Sequence, residues 1–67
     1  MFADFIKIEG ITNMGNVTHY VNRALITCIK VYTTERVLRL SGTNLDGLNF
    51  ATEEALNRAI ETILNGK

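Results

Sequence analysis

Residues 5–11, FIKIEGI, alternate: Ile6 and Ile8 point one way, and Phe5, Lys7 and Glu9 the other. A period of two is the mark of a half-buried strand. TNMGN, residues 12–16, breaks the alternation and reads as a loop, since Gly15 and Asn16 tolerate positive φ. A second strand over 17–22 pairs with the first as a hairpin. Asn22-Arg23-Ala24 then forms a tight corner, and 25–32, rich in Ile, Thr, Val and Tyr, is the clearest strand in the chain. Its inward set is Leu25, Thr27, Ile29 and Val31, and its outward set Ile26, Cys28, Lys30 and Tyr32. Thr33-Thr34-Glu35 turns the chain, and residues 36–42 return with Leu38 and Leu40 facing the core. Asp46-Gly47 signals a further turn, after which 48–50 reads as a short edge strand.

Beyond residue 51 the period changes. Thr52 is placed to cap a helix, with Glu53 and Glu54 in the first turn, where the dipole favours negative charge. Leu56, Ala59, Ile60, Ile63 and Leu64 form one apolar stripe, and Asn65-Gly66 ends it. The pattern predicts a single α+β domain over 1–67: an antiparallel β-meander of four or five strands with one C-terminal amphipathic helix packed on one face. The stripe is expected to pack on Ile6, Ile8, Ile29, Val31, Leu38 and Leu40.

Size sharpens this picture. A chain of 67 residues buries only about 60% of the surface its unfolded form exposes. Cys28 is the sole cysteine and His19 the sole histidine, so neither an internal disulfide nor a four-ligand zinc site can add stability. A partner surface can, and the simplest is a second copy. The formal net charge is zero, which removes any bulk attraction to nucleic acid or acidic lipid. No apolar run reaches the roughly 20 residues a membrane span needs. MFADFIKIEG is too short and too acidic for a signal peptide, and a free thiol fits a reducing cytoplasm.

Candidate chemistry is sparse. His19 and Cys28 fall on adjacent predicted strands, so a nucleophile pair is conceivable, but no group to orient the base and no nucleophile elbow accompanies them. A lone cysteine more often behaves as a small hydrophobe in a sheet, and packing is the stronger reading. The carboxylates are dispersed, and Gly42-Thr43-Asn44 lacks the Lys and Ser/Thr of a phosphate loop. These features point away from an enzyme and call for no cofactor or metal.

The outer sheet face holds more. Its expected members are Phe5, Lys7, Ile26, Cys28, Lys30, Tyr32, Val37 and Arg39. Phe5, Ile26, Cys28, Tyr32 and Val37 would make a protein interface, for a second copy or a larger protein. Lys7, Lys30, Tyr32 and Arg39 would instead bind single-stranded nucleic acid, with cations on phosphates and an aromatic under a base. Neutral net charge favours the protein reading, because phosphate affinity grows with the number of cations presented.

The order F-I-K-I (Phe5 to Ile8), Val21-Asn22, Ile26, Ile29, Leu38, Leu40, Gly42 and Thr52 to Leu56 resembles the small FlbD-like family of flagellar and swarming-associated proteins. The matching positions span nearly the whole chain and are core or capping residues. TNMGN stands where that family usually has a Leu-Asn-Gly-Lys turn, and Arg23 where aspartate or proline often follows Val-Asn. The resemblance implies the same fold and a flagellar or swarming-associated setting, and it carries no catalytic or binding residue.

Overall fold

The computed structural model of the protein describes residues 5–43, 45 and 47–66, so Asp46 of the Asp46-Gly47 turn lies outside the described residues. Two hairpins form first along the chain. β1 (Phe5–Thr12) and β2 (Gly15–Asn22) pair antiparallel without a break, from Phe5 opposite Asn22 to Thr12 opposite Gly15. The expected loop shrinks to Asn13 and Met14. Thr12 Oγ1 accepts the Met14 N–H and donates to the Gly15 carbonyl, which extends both strands into the turn. β3 (Cys28–Tyr32) and β4 (Val37–Ser41) make the second hairpin, turned through Arg36 at φ 56°, whose N–H reaches the Thr33 carbonyl.

β5 (Leu48–Asn49) joins the hairpins into one antiparallel sheet of order β2-β1-β5-β4-β3. The segment expected at an edge is therefore the central strand. Leu48 and Phe50 are both buried, and an edge would leave them wet. Gly10 of β1 makes room for this arrangement, since a Cβ there would lie 2.7 Å from the Asn49 carbonyl oxygen. The missing side chain allows close backbone approach.

α1 (Glu53–Asn65) starts as expected, with Thr52 Oγ1 accepting the Ala55 N–H at 3.1 Å, and ends at a left-handed Gly66. It lies chiefly across β1, burying Leu56, Ala59 and Ile63 against Ile6, Ile8, Leu38, Leu40, Leu48 and Phe50. Ile60 is half-buried at the margin of this core, and Leu64 is 63% exposed, so the stripe is narrower than its pattern suggests. Val21 is a core residue as well.

The segment 25–32 departs most from expectation. Residues Arg23–Leu25 form a 3-10 turn, with Ala24 N–H donating to the Asn22 side chain, and regular pairing begins only at Cys28. Alternation cannot run through that turn. Ile26, placed outside by parity, instead packs against the core, while Leu25 and Thr27 are exposed. Ile29 and Val31 stand opposite Leu40 and Leu38 as expected, but β3 is an edge strand, and Val31 stays largely uncovered.

Arg23 ties this corner to the helix. Its Nε donates to the Ile63 carbonyl and its guanidinium also donates to the Leu64 carbonyl at 2.9 Å. No basic residue of α1 itself lies in the last turn, so Arg23 supplies the cation that the carbonyl end attracts. Arg23→Met is expected to cost about 1–2 kcal/mol in urea unfolding, with Arg23→Lys recovering only part because it lacks the planar fork. Equal stability of Arg23→Met and the parent would show that the clip carries no weight.

Candidate interaction face

The face of the sheet opposite α1 has no second layer among the described residues. Register defines its members. Asn16, Ile11, Asn49, Val37 and Tyr32 form one row across all five strands, because each is the partner of the next. Thr18 and Glu9 lie to one side of that row on β2 and β1, and Arg39 and Lys30 to the other side on β4 and β3. Lys7 stands opposite Tyr20, Phe5 opposite Asn22, and Cys28 opposite Ser41.

Seven of the eight expected face residues thus share this face: Phe5 and Lys7 toward one end, Tyr32 and Val37 in the row, and Lys30, Arg39 and Cys28 toward the other end. Ile26 is not among them. It lines a shallow groove with Arg23, Ala24, Ile29, Ile63 and Leu64 on the helix side. Two apolar or aromatic members were missed, Ile11 and Tyr20. Tyr20 is 68% exposed, and Phe5 and Tyr32 are each 41% exposed. The signal for Tyr20 was present, because Val17, His19 and Val21 share the inward parity of β2 and leave Thr18 and Tyr20 outside.

Charge is sorted between the layers. Lys7, Lys30 and Arg39 lie on the open face with Glu9 as the carboxylate, 3.8 Å from Lys7 in an exposed pair. Glu53, Glu54 and Glu61 lie on the helix. A chain of zero net charge therefore presents a mildly positive sheet face. The exposed ion pair contributes little stability, on the order of 0–1 kcal/mol, and leaves both groups able to meet a partner.

His19 and Cys28 do not form a pair. His19 lies opposite Ile8 on the helix side of edge strand β2, half-buried. Cys28 is exposed on the open face of β3, the other edge. The sheet stands between thiol and imidazole, and no proton can pass directly from one to the other. No group of three His, Cys, Asp or Glu that could hold a metal occurs among the described residues. No helix among them is long and apolar enough to cross a membrane. Compared with protein-family models, curated proteins and solved structures, the chain matches none of them.

Proposed function

We propose that the chain is a small non-enzymatic protein-binding module, an adaptor, assembly factor or inhibitor of a larger protein, that acts through its open sheet face and is a homodimer. One observation carries this reading: the sheet is covered on one side, and the other side carries Ile11, Val37 and Tyr32 in one row across the strands, with Tyr20 and Phe5 further along the first hairpin. Lys30, Arg39 and Lys7 surround the apolar row, so the fitting partner is a protein surface with an apolar centre and an acidic rim. The exposed thiol of Cys28 suits a reducing compartment such as the cytoplasm.

Single-stranded nucleic acid is the second reading, favoured by three exposed aromatics and three cations on one face. One experiment separates them. Tyr32→Ser combined with Val37→Asp should abolish retention of a protein partner from the source cell while leaving the thermal melt near that of the parent. A helix-side change, Glu61→Gln, should leave retention unchanged. If random single-stranded DNA or RNA binds at micromolar concentration and weakens steeply with salt, the nucleic-acid reading replaces the first.

A further inference from the structure

The homodimer in that reading can form face to face or edge to edge, and the two edges of the sheet are unlike. β3 is short and carries Lys30 at its centre, so two-fold pairing there sets Lys30 against its copy. β2 is the opposite. Its eight residues, GNVTHYVN, contain no Asp, Glu, Lys, Arg or Pro, and its register with β1 has no bulge. Exposed edges are normally blunted by charge, proline, a bulge or brevity. β2 has none of these protections.

The hydrogen-bonding direction of that edge follows from the sheet itself. The Phe50 N–H donates to the Arg36 carbonyl across β4, so Asn49, one residue back, turns its own N–H and C=O toward Ile11 on β1. Ile11 therefore turns its backbone groups away from β2, and alternation makes Ile11–Asn16 a non-hydrogen-bonded pair. Asn16, Thr18 and Tyr20 must then direct their N–H and C=O groups outward, where no strand of the described residues receives them.

We infer that β2 pairs antiparallel with β2 of a second copy, with Thr18 on the two-fold axis, joining two five-stranded sheets into one. In that register Thr18 faces Thr18, a favourable cross-strand pair, and Asn16 faces Tyr20. Val17 and His19, half-buried on the helix side, face each other across the seam and gain cover there. No charged side chain of either β2 opposes a like charge. The two open faces become one continuous platform, free for the larger protein. The inference rests on the homodimer of the proposed function and specifies how it forms.

Thr18→Pro and Thr18→Lys test it. The Thr18 N–H points outward, so proline removes no β1–β2 bond, while lysine sets two ammonium groups against each other on the axis. Light scattering after size exclusion should give twice 7.5 kDa for the parent. Both variants should dissociate with a constant raised about tenfold or more, and their circular dichroism should match the parent's. Amide exchange at Asn16, Thr18 and Tyr20 should slow as parent concentration rises. Tyr32→Ser with Val37→Asp should stay dimeric while losing the larger partner, which separates failure of the edge from failure of the face. A parent that is monomeric throughout, or Thr18 variants that dimerise like it, would overturn the inference. So would a dimer broken by the Tyr32 and Val37 changes, since that marks face-to-face contact.

Discussion

Leu56→Ala should lower the stability of the protein by about 2–5 kcal/mol, the usual range for emptying a fully buried leucine site. Leu56 has no measurable exposure and sits at the contact between α1 and the strand bearing Ile6 and Ile8. A chain of 67 residues has a total stability of only roughly 3–10 kcal/mol. The variant therefore stands close to unfolding at room temperature. The same truncation at half-buried Ile60 should cost less, and at exposed Leu64 under about 0.5 kcal/mol. Urea melts of the three variants check the order. Equal losses at Leu56 and Leu64 would contradict the helix orientation, which places one beneath the helix and the other on its wet flank.

Gly42→Ala should be nearly as damaging through a different cause. Gly42 has φ 95°, a conformation that side chains rarely adopt, and a Cβ there would lie 1.9 Å from the Leu25 carbonyl oxygen. Backbone cannot rotate aside as a side chain would. The 25–27 segment must separate from residue 42, and the Thr27 N–H to Ser41 carbonyl bond of 2.9 Å is lost with it. Strain and the lost bond together are expected to cost more than about 2 kcal/mol. Amide exchange at Thr27 should accelerate in the variant. Unchanged exchange with an unchanged melt would rule out the close approach at Gly42.

Local signals account for most of what the sequence made legible. The helix has its own start, stop and dipole partners in Thr52, Glu53, Glu54 and Gly66, and all of them act within a few residues. The β1 alternation and the Leu38 and Leu40 pair follow the same rule, since period two needs no knowledge of the rest of the fold. Parity failed at Ile26 because the Arg23–Leu25 turn resets the alternation, and a β-branched run conceals such a reset. The place of Leu48 and Phe50 was illegible for another reason. Which strands flank β5 is a matter of pairing across the chain, and two residues carry too little pattern to declare it. Gly10 was the one available hint, a glycine in an otherwise regular strand. Ile26 was misplaced at a wrongly read strand boundary, whereas Ile11 and Tyr20 lie inside correctly read strands and were overlooked although parity put them on the open face.

The central position of β5 also dictates a sequence of events in folding. Each hairpin closes over a short span of chain and forms quickly from local contacts. Neither can find the other as a sheet neighbour until residues 48–50 arrive between them, because β1 and β4 share no ladder of their own. On a growing chain the first hairpin must therefore wait, with Ile6 and Ile8 uncovered, until residues 48–50 have been made. The segment 48–65, β5 followed at once by α1, completes the sheet and closes the core in a single late step.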